Sequence, residues 1–283
     1  MGELFGTLGL AWPRLLIYPG GLSALGLAWL LDWALASSKR RQGEANDTGV
    51  PTLQTTQAFD ARSFVILSAV VTPLLVISLL PLPYAVDFPY SLDLPVTLAL
   101  LEWPQCLLLW MTWRAEPPNA AIRQRALLEG YALLLLAALA LALATGSLRL
   151  NDLPRVWPQE ASLFDIAPFL GLAGSLGWSI ALLPLLELGP FRSEHTRDAL
   201  GLGCALRALG HVLLATLPWL TPLASQPWLM PLPPLGLALL LGVAARWGHR
   251  LALRCWQIGR TIIMATLITL MIWVAATDLL VAA

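Results

Sequence analysis

The sequence predicts an all-α fold, a polytopic membrane protein of about eight transmembrane helices forming a single domain over 1–283. Three observations carry that expectation. First, 58% of the residues are hydrophobic and only 12% are charged, with a mean hydropathy of +0.72. Soluble domains carry roughly a quarter charged residues, so too little polar surface is left here to cover a water-soluble globule. Second, stretches of about 20 predominantly apolar residues, enough to cross the hydrocarbon core, recur along the chain. Third, the basic residues between them fall mostly on one side.

Taken in order, the predicted spans are 15–37, 63–83, 93–113, 128–146, 165–188, 200–220, 231–247 and 261–281. Prolines cluster between spans, as in Pro81 and Pro83, Pro117 and Pro118, or Pro231, Pro233 and Pro234, where helix breaks belong. The N-terminus does not read as a signal peptide. Glu3 precedes the apolar run, no basic segment leads it, and Pro13 with Arg14 interrupts it. With eight spans and both termini outside, the inner segments are 38–62, 114–127, 189–199 and 248–260 with their flanks. These hold Lys39 and twelve arginines, from Arg40 to Arg260. The opposite side holds Arg14, Arg149 and Arg155, and thirteen against three is a strong positive-inside bias. The longest polar stretch, 38–62, is a cytoplasmic loop in this scheme.

Composition also narrows function. A formal net charge of zero gives no general basic character for nucleic acid. Cys106, Cys204 and Cys255 lie far apart in or beside apolar stretches, with no Cys-x-x-Cys or Cys/His spacing. They read as buried apolar fillers, and no metal site is expected within the chain. No nucleophile–base spacing is evident, so no catalytic residue is assigned.

Ionisable groups inside spans are costly, roughly 2.5–3.5 kcal/mol each, and ask for an explanation. Asp32 and Asp278 lie near helix ends, within reach of headgroups. Glu129 sits one turn from Arg125 and can pair with it. Glu102 stands in mid-span beside Pro104, and a protonated or paired carboxyl is expected there. Arg207 and His211 are four apart and share one helix face. An arginine at that depth needs a carboxylate, and Glu187 and Glu102 are both candidates. The densest charged segment follows the fifth span: Glu187, Arg192, Glu194, His195, Arg197 and Asp198. It reads equally as a capped loop, with Ser193 and Glu194 opening the next helix.

Three stretches resemble the membrane subunit shared by respiratory complex I, its subunit 1 or H type, and membrane-bound [NiFe] hydrogenases such as formate hydrogenlyase. They are PPNAAIRQRALLEGYALLLLAALALALATGSLRLNDL (117–153), ASLFDIAPFLGLAGSLGWSIALLPLLELGPFRSEHTRDAL (161–200) and RWGHRLALRCWQIGRTIIMATLITLMIWVAATDLLVAA (246–283). Glu187 matches that family's helix-end glutamate and Pro190-Phe191 its Pro-Phe, while its fourth-span glutamate falls near Tyr131, with Glu129 the nearest acid. The resemblance implies an inner-membrane subunit joining a peripheral electron-transfer arm to antiporter-like, proton-translocating membrane subunits. It implies proton-path or coupling roles for Glu102, Glu129, Glu187, Glu194, His195, Arg207 and His211. Arg123, Arg125, Arg192, Arg197 and Asp198 would meet the peripheral hydrogenase- or dehydrogenase-like subunits. The chain alone would bind no cofactor, although quinone borders this subunit in the family's quinone-using members. After Pro-Phe that family places an Asp and spaced Glu residues. Here Arg192, Glu194, His195 and Arg197 reverse the local field, which favours an alternative: a divergent scaffold that has lost ion or quinone function. A stand-alone transporter is the third reading, and the absence of an evident internal repeat weighs against it.

Overall fold

The computed structural model describes residues 16–17, 19–36, 58–82, 92–115, 117–156, 166–188, 191, 201–220, 223, 226, 229–244 and 249–282. Among them the regular structure is helical: α1 Gly21–Ala36, α2 Ala58–Leu79, α3 Leu94–Ala115, α4 Pro117–Thr145, α5 Ile166–Leu185, α6 Gly201–Thr216, α7 Leu232–Ala244 and α8 His249–Ala282. Short 3-10 turns occupy Leu150–Val156 and Leu217–Trp219. Each predicted span overlaps one of these helices within the described residues. Four segments are long and apolar enough to cross a membrane, Leu127–Thr145, Ile166–Leu185, Leu202–Trp219 and Leu253–Thr277. Gly21–Leu31, Leu67–Leu79 and Leu232–Ala244 are shorter apolar segments. These helices mark a membrane protein.

Two of the inner segments between predicted spans are helical. Within 114–127, α3 runs to Ala115 and α4 opens at Pro117, eleven residues before the apolar run. Proline suits a first helical turn, where its missing N–H would have no partner, and its fixed φ suits the helix. Likewise α8 starts at His249, so most of 248–260 is the first three turns of a 34-residue helix. Nothing in LALRCWQIGR except Gly259 opposes a helix, and Trp256, 3% exposed, anchors that turn by donating from Nε1 to the Ile180 carbonyl at 3.1 Å. Helix α2 also takes residues 58–62 from the expected polar loop, and 38–57 lie outside the described residues.

Small residues set the packing. Where helices meet in an apolar solvent, close van der Waals approach replaces the hydrophobic effect, and Gly and Ala permit it. Helices α4 and α5 meet along Ala137 and Gly174, where an added Cβ would stand 3.1 Å from the Ala137 carbonyl oxygen. Helix α6 is the most enclosed, with Leu206, His211 and Leu214 fully buried. Its Gly203 lies against Ala69 of α2, and its Gly210 lies so near Leu101 of α3 that a Cβ there would meet Leu101 Cδ2 at 2.8 Å. That second approach brings the residue after Leu101 onto α6. At one end of the bundle, Leu94 N–H donates to the Leu148 carbonyl at 2.7 Å and Leu150 N–H to the Leu92 carbonyl at 3.2 Å. These bonds fix the start of α3 to the segment that leaves α4.

Candidate functional site

Glu102 follows Leu101 on α3 and is 6% exposed. Its carboxyl is the hub of a buried ionic cluster drawn from three helices. Arg207 on α6 approaches side-on, donating from Nε to Oε1 at 3.0 Å and from Nη2 to Oε2 at 2.6 Å. His211, one turn further along α6, places Nε2 2.5 Å from Oε1. Tyr131 of α4 donates its hydroxyl to Oε2. Four donors therefore fill the roughly four acceptor sites of one carboxylate. Bidentate arginine–carboxylate geometry is among the strongest charged arrangements, and in a dry interior it fixes orientation as well as charge.

The end of α5 completes the cluster. Arg207 Nη1 donates to the Leu185 carbonyl at 2.8 Å. Carbonyls in a helix's last turn lack intrahelical partners and carry the negative end of its dipole, so a guanidinium satisfies both. There α5 closes with Leu188 N–H donating to the Leu183 carbonyl (2.9 Å) and Glu187 N–H to that of Pro184 (3.2 Å). This is the closing pattern that usually places glycine in the left-handed position. Glu187 occupies it instead, with φ +51, a strained choice for a residue with a side chain. Its Oε1 accepts from Gln105 Nε2 at 3.2 Å, which ties the strained corner to α3 one turn from Glu102.

Of the two carboxylates weighed for Arg207, Glu102 forms the ion pair. The Glu187 alternative required the guanidinium to reach about 10 Å along α6, whereas the α3–α6 approach at Gly210 puts Glu102 directly opposite. Glu129 forms a separate, shallower site. Arg125 stands 3.5 Å from its Oε1, the expected one-turn pair, and Arg260 of α8 donates to Oε2 at 2.8 Å. Arg260 also lies 4.8 Å over the Trp256 ring, and Phe191 packs edge-on against that ring at 4.8 Å.

Glu102, Arg207 and His211 are thus brought together, while Glu187 is joined to them through Gln105 and the Leu185 turn. Glu129 and Arg125 sit elsewhere. The side chain of Arg123, and those of Asp32 and Asp278, lie outside the described residues, as do Arg192, Glu194, His195, Arg197 and Asp198. Cys106 and Cys255 are exposed and Cys204 is partly buried, so the first two are not buried fillers. An apolar thiol sits as well on an outward face in a membrane as in a core. Tyr131 entered the sequence reading only as a register position. Gln105 and Trp178 did not enter it, although Gln105 lies three residues from Glu102 and so shares its face. Among the described residues no group of three or more His, Cys, Asp or Glu is placed to hold a metal ion. No family model and no curated protein matches this chain.

Proposed function

We propose that this chain is the membrane subunit of a complex-I-like or membrane-bound hydrogenase-like assembly, linking a peripheral electron-transfer arm to ion-translocating membrane subunits. The observation that supports it most is the Glu102–Arg207–His211–Tyr131 cluster. A buried ionic group in an apolar bundle is costly to insert and is, by default, a functional element in a membrane protein. The resemblance of 117–153, 161–200 and 246–283 supplies the class of assembly. In this reading eight helices cross the inner membrane, both termini face the periplasm, and the basic segments meet the peripheral arm.

A second reading, a scaffold that anchors partners without conducting ions, is favoured by a specific feature. Every acceptor position of Glu102 is taken, which suits a structural clamp. One experiment separates the readings. The tagged protein is purified in mild detergent from its native membrane, and Arg207→Leu is compared with wild type for assembly and for proton translocation. Recovery with a large membrane partner and a peripheral partner supports either reading. Normal assembly of Arg207→Leu without translocation selects coupling, and loss of assembly selects the clamp. A solitary monomer that transports a solute overturns both.

A further inference from the structure

His211 is 0% exposed, and among the described residues only one of its ring nitrogens has a partner. Nε2 meets Glu102, whereas Nδ1 has none there. Two more buried polar atoms share that condition, Trp178 Nε1 and Ser175 Oγ, both on α5. The Trp178 and His211 ring centroids are 6.2 Å apart with planes inclined at 55°. Ser175 is 2% exposed and lies one turn from Trp178, on the same side of α5. Buried polar atoms without partners are rare, and an ordered water is the usual resolution.

The hydrogen-bond inventory is complementary. Glu102 accepts from every neighbour and has no proton to give, so His211 carries its proton on Nε2. In the neutral ring Nδ1 is then a bare acceptor. Trp178 Nε1–H can only donate, and the Ser175 hydroxyl does both. A water between Trp178 and His211 would accept from the indole and donate to Nδ1, and the Ser175 hydroxyl one turn along α5 offers it a further bond. We propose that a buried water occupies this position, and that through it His211, rather than Glu102, is the proton-exchanging member of the cluster.

The step balances simply. A hydronium proton passes from the water to Nδ1, leaving neutral water and an imidazolium whose Nε2–H still points at Glu102. Reversal returns the proton to the water. The charged and titratable neighbours are Glu102 from α3, Tyr131 from α4 and Arg207 from α6, while α5 contributes the uncharged Trp178 and Ser175. The line has a direction. Arg207 meets α5 at Leu185 and His211 meets it at Trp178, about 10 Å further in at 1.5 Å per residue. Past Ser175 the buried residues Leu170, Leu141 and Leu214 are apolar, so the polar side of the water site is the one that faces the Glu102–Arg207 cluster. This inference stands whether or not the chain belongs to a redox assembly.

Nitrogen-15 solid-state NMR of the full chain in lipid bilayers tests it, with His195→Gln and His249→Gln leaving His211 as the single histidine. The expected spectrum has Nε2 protonated and Nδ1 unprotonated but hydrogen-bonded, receiving magnetisation from water. Trp178→Phe and, as the milder change, Ser175→Ala should each reduce that transfer. On acidification Nδ1 should take up the proton while the Glu102 carboxyl carbon, assigned by its loss in Glu102→Gln, stays at the carboxylate position. A direct Trp178 Nε1–His211 Nδ1 hydrogen bond without water transfer overturns the proposal. So does a proton resident on Nδ1 with Nε2 bare, water transfer unchanged in both variants, or a Glu102 carbon that moves first.

Discussion

Glu102 and Glu129 pose the same chemical problem one helix apart, and the protein solves it twice with different means. Each is a glutamate on a helix of the bundle that accepts from arginine. Around Glu129 the side chains are open to the outside of the bundle, with Arg260 28%, Glu129 32% and Arg125 85% exposed. Around Glu102 they do not, since Arg207 and Glu102 retain 7% and 8% and His211 none. The shallow site tolerates loose geometry, including a 3.5 Å approach by Arg125. The deep one takes four donors, a bidentate arginine and a helix-terminal carbonyl. Groups outside the bundle can replace a lost partner at the first site and cannot reach the carboxylate at the second, so burial rather than charge count decides what each pair contributes.

The sharpest way to break the comparison is to neutralise one carboxylate at each depth. Glu102→Gln leaves Arg207 buried without its counter-charge and should cost roughly 3–5 kcal/mol, read as a fall in folded yield and midpoint during denaturation in detergent. Tyr131→Phe removes one bond to a charged group and should cost about 1.5–3 kcal/mol by the same measurement. Gly210→Val tests the approach that puts Glu102 on α6. Overpacking of this kind costs typically 1–3 kcal/mol, and a Cβ 2.8 Å from Leu101 should also weaken the Glu102–Arg207 pair. At the shallow site Arg260→Leu should lose at most about 1 kcal/mol through its ion pair, with a similar contribution from its stacking on Trp256. Arg125→Ala should leave the midpoint unchanged. Equal losses at Glu102 and Glu129 would remove depth as the explanation.

Much of the helical plan was legible because a long apolar run favours a helix, and each of the eight runs overlaps one, although four segments are long and apolar enough to cross a membrane. The ends were less legible. Arginine and glutamine in 117–127 and 249–260 look like loop residues, but an amphipathic turn continuing out of a span carries the same composition. The partnership of Arg207 with His211 followed from their four-residue spacing, and Glu102 was one of two carboxylates open to it. Choosing between them needed the α3–α6 approach at Gly210, which no local pattern encodes. Tyr131, Trp256 and the Arg260–Glu129 bond depend on contacts between distant helices, the last spanning 131 residues. In an apolar bundle such residues look like any other lining.

A double-mutant cycle on Glu102 and Arg207 addresses the central claim, that this buried pair holds α3 to α6. Glu102→Gln, Arg207→Leu and their combination would be compared by denaturation midpoint and folded yield in detergent. The account predicts that each single change is strongly destabilising, and that the double mutant, with no uncompensated charge left, recovers part of the loss. A double mutant as unstable as the sum of the two singles would contradict it.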